Sequence, residues 1–103
     1  MSDWVEVANR SEFKLTDRKK IDLGGGRECV VFESDGEFFA VTPWCSHERS
    51  SLADGEVYGG QVECPHHGAR FDLRTGQPLT LPAVRPIARY DVKIEGDRIL
   101  VRF

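Results

Sequence analysis

Three two-residue turn signals divide this chain into hairpins. They are Asp35-Gly36, Gly59-Gly60 and Gly96-Asp97, and each separates two short runs rich in β-branched or aromatic residues. Such dipeptides favour tight turns because they tolerate positive φ, and a two-residue turn joins strands that pair antiparallel. No window shows a convincing apolar period of 3.6 residues. The pattern predicts an all-β chain folded as a small antiparallel sandwich or barrel.

The predicted strands cover most of the chain. They span residues 4–8, 19–23, 28–34, 37–42, 56–58, 61–63, 69–73, 88–95 and 98–103. A chain of 103 residues can bury one core but not two, so residues 1–103 are expected to form a single domain.

Composition restricts the classes of partner. Hydrophobic residues make up 40% of the chain, and no apolar run approaches the roughly 20 residues that a membrane span needs. The N-terminus lacks the basic and then apolar pattern of a secretory signal, so a soluble, cytoplasmic protein is expected. Seventeen acidic against fourteen basic residues argue against a nucleic-acid partner, which would need clustered Lys and Arg.

Four soft ligands lie in two short clusters. Cys45 and His47 are separated by one residue, Cys64 and His67 by two, and sixteen residues lie between His47 and Cys64. This set suits either a structural zinc site or a [2Fe-2S] cluster. Zinc modules usually pair like ligands, so the mixed spacing favours the two-iron cluster while leaving zinc as an alternative.

Two further residues receive structural interpretations. Cys29 stands apart from the clusters, in the apolar run CVVF, and is interpreted as a small buried hydrophobe. Trp44, directly before Cys45, is interpreted as a packing residue that supports the segment with Cys45 and His47, rather than as an electron relay.

The two clusters and their surroundings resemble the Rieske iron-sulfur proteins. The likeness rests on C-x-H, sixteen residues and C-P-x-H-G, and it extends to SSLADGEV, CPHHGARFDLRTG, LPAVRP and YDVKIEGD. The family fold implies a Rieske-like antiparallel sandwich or barrel with a small cluster-binding subdomain of two hairpin loops, about residues 43–72. It also implies a third, proline-containing loop, Leu81 to Pro86, that covers the cluster. A rigid connector between two strands is the alternative interpretation of this segment, and the two roles do not exclude one another.

The resemblance assigns the ligands of one Rieske-type [2Fe-2S] cluster. Cys45 and Cys64 become the thiolate ligands of one iron, and His47 and His67 become the imidazole ligands of the other. His66 occupies the variable position of C-P-x-H-G and is expected to be a neighbour of the cluster rather than a ligand.

Four departures from the high-potential members of that family imply a low reduction potential. Ser50 and His66 stand where those members carry a disulfide that clasps the loops, and Ala69 and Phe71 stand where they carry hydroxyl donors to cluster sulfur. We therefore expect a midpoint potential around -150 mV, at the low end of the Rieske range.

The implied function is that of an electron carrier. With all three histidines in the cluster segment, the chain has none for a mononuclear iron site, so it is not expected to be an enzyme. It resembles the ferredoxins of bacterial aromatic-ring-hydroxylating dioxygenase systems, which pass electrons from an NAD(P)H-dependent flavoprotein reductase to a terminal oxygenase. A monomer is expected. The alternative is a Rieske-like small subunit of a nitrite reductase or another oxidoreductase complex.

Charged residues near the clusters are candidates for partner recognition. They are Glu48, Arg49, His66 and Arg70. For each of them, an ordinary solvated side chain is the competing interpretation.

Overall fold

The computed structural model describes residues 4–44, 51–65, 68–80 and 85–103. Within these ranges the regular elements are β-strands and two short 3₁₀ segments, so the all-β prediction is confirmed. The strands are β1 (Trp4–Asn9), β2 (Arg18–Asp22), β3 (Glu28–Ser34), β4 (Glu37–Val41), β5 (Glu56–Tyr58), β6 (Gln61–Glu63), β7 (Arg70–Asp72), β8 (Arg89–Glu95) and β9 (Arg98–Arg102). The 3₁₀ segments, Arg10–Phe13 and Leu52–Asp54, are additions to the predicted elements.

Six strands form one antiparallel sheet that curls into a nearly closed barrel. Their order is β1-β9-β8-β4-β3-β2, so β1 and β2 lie at its two edges. A register shift between Glu6 and Ala8 takes Val7 out of the pairing of β1 with β9. The Val7 carbonyl instead accepts a hydrogen bond from Lys19 Nζ in β2, at 3.1 Å. A side chain therefore connects the two edges that backbone pairing leaves apart.

Two of the predicted hairpin turns have the backbone conformation that their sequences favour. Asp35 and Gly36 have φ of 52° and 82°, and Gly59 and Gly60 have φ of 58° and 75°. Positive φ at both central residues is the signature of a type I′ turn, whose twist matches that of the flanking strands. These turns set the registers of β3 with β4 and of β5 with β6.

Alternating side chains of β3 and β4 contribute to two separate cores. Cys29, Val31 and Ala40 face the barrel interior. They pack there with Val7, Ala8, Phe13, Ile21, Ile99 and Val101. Val30 and Phe32 point to the opposite face of the same sheet, as the period of two along a strand requires.

The second sheet packs on that outer face. Its strands pair antiparallel in the order β5-β6-β7, with Val62 opposite both Val57 and Phe71. The outer core contains Val30, Phe32, Phe39, Val41, Leu52, Ala53, Val62, Cys64, Ala69, Phe71, Leu73 and Ile87. Among the described residues, no helix is long and apolar enough to cross a bilayer.

Candidate metal centre

Cys64 is the predicted ligand that the structure describes. It follows β6 and is 0% exposed. Its backbone N–H donates a hydrogen bond to the Ala69 carbonyl at 2.6 Å, so Cys64 and Ala69 are neighbours. The other three predicted ligands, Cys45, His47 and His67, lie outside the described residues.

The segment that carries Cys45 and His47 is also closed at its base. Trp44 and Ser51 form an isolated antiparallel bridge, and the Leu52 N–H donates to the Pro43 carbonyl at 2.7 Å. The chain therefore leaves and re-enters the described structure at adjacent backbone positions. Trp44 and Ser51, which flank the segment with Cys45 and His47, are thus direct neighbours.

The bases of these two segments meet in the outer core. Leu52, one residue past the first base, packs in the same cluster of buried side chains as Cys64 and Ala69. The two segments approach closely at Gly55, where an added Cβ would lie 2.0 Å from the Glu63 carbonyl oxygen. The fold thus brings together the backbone that flanks the Cys45/His47 segment and the backbone that flanks Cys64.

A third segment begins beside β7. The Leu79 N–H donates to the Arg70 carbonyl at 2.8 Å, and the Arg70 N–H donates to Thr80 Oγ1 at 2.9 Å. These bonds place the start of the predicted covering loop next to the strand that follows Ala69. Residues 81–84 of that loop lie outside the described residues, so its covering role stays a prediction.

The donor set and its surroundings fit a Rieske-type cluster. Two ferric ions, two sulfides and two thiolates sum to zero charge, so the oxidised cluster would be neutral overall. A neutral group is the kind that apolar surroundings tolerate at low cost. Ala69 and Phe71, beside Cys64, are apolar and 0% exposed.

Cys29 is separate from this site. It is 1% exposed and faces the barrel interior, which confirms its interpretation as a buried hydrophobe. Burial raises the pKa of its thiol to about 12. The thiolate, which is the form that binds metals, is therefore disfavoured at Cys29.

Trp44 and Arg70 each donate a side-chain hydrogen bond to another side chain. Trp44 is 51% exposed and is not part of the buried core, and its indole Nε1 donates to Glu28 Oε1 at 2.8 Å. Its support of residues 45–50, which lie outside the described residues, stays a prediction. Arg70 Nη1 donates to the Tyr58 hydroxyl at 3.4 Å, and a docking role for Arg70 stays a prediction. Glu48, Arg49, Ser50 and His66 lie outside the described residues.

The sequence does not signal one residue that contacts the segment between the two ligand pairs, residues 51–55. The Arg18 guanidinium in β2 donates hydrogen bonds to the carbonyls of Ala53 and Gly55. These partners are 35 and 37 residues away in the chain. The contact depends on how the second sheet packs against β2 and β3, so no local sequence pattern signals it.

Comparison with known proteins agrees with the geometry. The model of the Rieske [2Fe-2S] domain family matches residues 3–91. The naphthalene 1,2-dioxygenase system ferredoxin component of Pseudomonas aeruginosa is 40% identical over 98 residues, covering 95% of this chain and 93% of that protein.

Two solved structures are similar over nearly their whole length. The ferredoxin of carbazole 1,9a-dioxygenase from Nocardioides aromaticivorans IC177 has a TM-score of 0.87 and 36% identity, covering 97% of both chains. A chain in the complex of reduced oxygenase and oxidized ferredoxin in carbazole 1,9a-dioxygenase has a TM-score of 0.89 and 25% identity, covering 99% of this chain and 94% of that one. The chain belongs to the Rieske [2Fe-2S] domain family, and its cofactor is a Rieske-type [2Fe-2S] cluster.

Proposed function

We propose that this protein is the ferredoxin component of an aromatic-ring-hydroxylating dioxygenase system. It takes one electron at a time from an NAD(P)H-dependent flavoprotein reductase and delivers it to a terminal oxygenase. The observation that carries the proposal is the near full-length similarity to a protein named as a dioxygenase ferredoxin component, at 95% and 93% coverage of the two chains. It acts as an electron carrier and not as the oxygenase itself.

We assign the four cluster ligands as the resemblance of C-x-H and C-P-x-H-G to the Rieske motif implies. Cys45 and Cys64 would hold one iron, and His47 and His67 the other. When bound, the cluster supplies a one-electron redox couple. The closed bases at Trp44–Ser51 and Cys64–Ala69 support this assignment, because they hold the two ligand-bearing segments over one core. We place the cluster-binding subdomain at about residues 43–72 of a single domain, 1–103.

The residues around Cys64 favour a low midpoint potential, around -150 mV. Ala69 and Phe71 offer the cluster apolar side chains where a hydroxyl could donate to sulfur and stabilise the reduced state. Redox titration followed by EPR measures the midpoint. A value above about +100 mV would contradict this proposal, since it lies in the upper part of the Rieske range.

Partners and location complete the proposal. The complex solved for a structurally similar ferredoxin, that of carbazole 1,9a-dioxygenase, contains an oxygenase. By analogy, the present protein docks on its own oxygenase through the cluster end, as a monomer in the cytoplasm. Reconstitution with a flavoprotein reductase and candidate oxygenases tests this, and substrate-dependent NADH consumption should require the ferredoxin.

The ligand assignment is tested by a matched pair of cysteine substitutions. Cys64→Ala removes a proposed ligand, whereas Cys29→Ala removes a buried cysteine of the barrel interior. We expect about two irons and two sulfides per chain in the wild type and in Cys29→Ala, and loss of both in Cys64→Ala. About one zinc per chain, in a colourless protein, would instead support the zinc alternative.

A further inference from the structure

The Arg18 side chain links the barrel to residues 51–55, which follow the segment with Cys45 and His47. It is the first residue of β2, its side chain is 24% exposed, and it lies opposite Phe32 in β3. Its Nη1 donates to the Ala53 carbonyl at 2.7 Å and also to the Gly55 carbonyl. Both of these residues are buried.

We infer that Arg18 is a positioning residue for the [2Fe-2S] centre, an inference that rests on the proposed function. Its guanidinium holds residues 51–55 against the barrel. That segment ends the loop that carries Cys45 and His47. It also touches Glu63, the residue before Cys64. One side chain on the barrel therefore controls the separation of the two ligand-bearing segments.

The contact at Gly55 transmits this restraint to Cys64. An added Cβ on Gly55 would lie 2.0 Å from the Glu63 carbonyl oxygen, so Gly55 is packed directly against the end of β6. Glu63 is also paired with Glu56, which follows Gly55. A movement of Gly55 away from Arg18 would move the backbone that leads into Cys64.

The geometry requires an arginine. Besides donating through Nη1, Arg18 donates through Nε to Asp17 Oδ1 at 2.8 Å, and its guanidinium carbon lies 5.1 Å from the centroid of the Phe32 ring. A planar guanidinium can stack on a ring and donate in fixed directions within its own plane, which a lysine ammonium cannot do. The Asp17 carboxylate balances the charge of this partly buried cation.

Other polar contacts attach the second sheet at its opposite end. The Gly60 N–H, in the turn between β5 and β6, donates to Ser34 Oγ at 2.9 Å, and Arg74 beyond β7 pairs with Glu37 at 2.8 Å. Cys64 lies at the other end of β6 from that turn. Removing the Arg18 donors should therefore loosen the ligand-bearing end while the turn end stays attached.

The test compares Arg18→Met with Arg102→Met. Methionine retains an aliphatic side chain over Phe32 but donates no hydrogen bonds. Arg102 is the matched control, because it also stacks on a ring, Trp4 at 5.0 Å, and pairs with a carboxylate, Asp91. It lies in β9, away from the metal centre. The measurements are the rate of cluster loss to an iron chelator, the EPR g-values of the reduced cluster, and amide hydrogen exchange at Gly55 and Cys64.

We expect Arg18→Met to lose its cluster about tenfold faster or more, with shifted g-values and about tenfold faster exchange at both amides. Arg102→Met should match the wild type in all three. Arg18→Lys keeps the charge and can reach one carbonyl, so its values should fall between those of the wild type and Arg18→Met. If Arg18→Met does not fold, Arg18→Lys takes its place in the comparison.

The inference is overturned if Arg18→Met behaves like the wild type, or if Arg102→Met loosens the centre equally. For Arg18→Lys, wild-type behaviour in all three measurements also overturns it. These measurements need no oxygenase or reductase, so they stand apart from the reconstitution that tests the proposed function. Exchange at Gly55 and Cys64 also tests Arg18 in a chain that proves to hold no iron.

Discussion

Lys19 closes the barrel by donating from Nζ to the Val7 carbonyl, 3.1 Å away on the facing edge strand. The same ammonium group pairs with Glu12 Oε1 at 2.7 Å. Glu12 in turn accepts from the Asn9 N–H at 2.7 Å, in a capping box at the 3₁₀ segment after β1. The seam between β1 and β2 therefore depends on side-chain contacts where a continuous sheet would use backbone pairing.

Lys19→Met should lower the free energy of unfolding by about 1–2 kcal/mol, since it removes a charged donor from the Val7 carbonyl. The matched control is Lys20→Met on the same strand, whose side chain is exposed and points to the other face of β2. Urea unfolding followed by far-UV circular dichroism measures both variants. Equal losses in the two would contradict a specific role for Lys19 at the seam.

The Glu12 carboxyl should titrate below its ordinary range. The hydrogen bond from Lys19 is the largest cause of its lowered pKa, followed by the hydrogen bond from the Asn9 backbone. A lowered folded-state pKa stabilises the protein above the unfolded-state pKa, and that contribution is lost as the pH falls through the folded-state value. NMR titration of the Glu12 side-chain carbon should show the pKa moving back up in Lys19→Met, and an unchanged pKa would argue against this pairing.

Gly55→Ala should weaken cluster retention. The φ of Gly55 is -84°, which suits alanine, so the cost arises from the Cβ that would lie 2.0 Å from the Glu63 carbonyl oxygen. We expect about 1–3 kcal/mol of destabilisation and faster iron loss to a chelator. Gly25→Ala is the control, because its φ of +61° strains alanine but nothing lies within 4 Å of an added Cβ. It should cost stability without accelerating iron loss, and iron loss as fast as in Gly55→Ala would count against the steric explanation.

Phe71→Tyr should raise the midpoint potential. It adds a hydroxyl at a fully buried position in the same core as Cys64. One hydrogen bond of about 0.5–1.5 kcal/mol to the reduced cluster corresponds to about 20–60 mV for a one-electron couple. Phe13→Tyr, in the barrel core, should leave the potential unchanged. Spectroelectrochemical titration measures both variants, and an unchanged potential in Phe71→Tyr would contradict the proposed link between Phe71 and a low midpoint potential.

The sequence predicts individual strands and hairpin turns, because turn chemistry and strand period depend only on neighbouring residues. The predicted strand 28–34 coincides with β3, and the hairpin turn at Asp35 and Gly36 has the expected positive φ at both residues. The 3₁₀ segment at Arg10–Phe13 did have a signal, the capping box of Asn9 and Glu12, but it is too short to show a helical period.

The sequence does not predict the contacts between residues far apart in the chain. The pairing of β1 with β9 joins the two ends of the chain, and no pattern within either strand selects its partner. Residue type alone favours burial of Trp44, but half of its surface is exposed and its indole donates to Glu28, sixteen residues away in the chain. No local pattern predicts the role of Arg18, because its carbonyl acceptors are 35 and 37 residues away in the chain.

The two cores share strands but no side chain. Along β3, Cys29 and Val31 belong to the barrel interior, whereas Val30 and Phe32 belong to the core that contains Cys64. A substitution at one of these positions changes the packing of one core and leaves the other's contacts in place. Natural selection, or a protein engineer, can therefore change the packing around Cys64 through every second residue of a strand without redesigning the barrel on its other face.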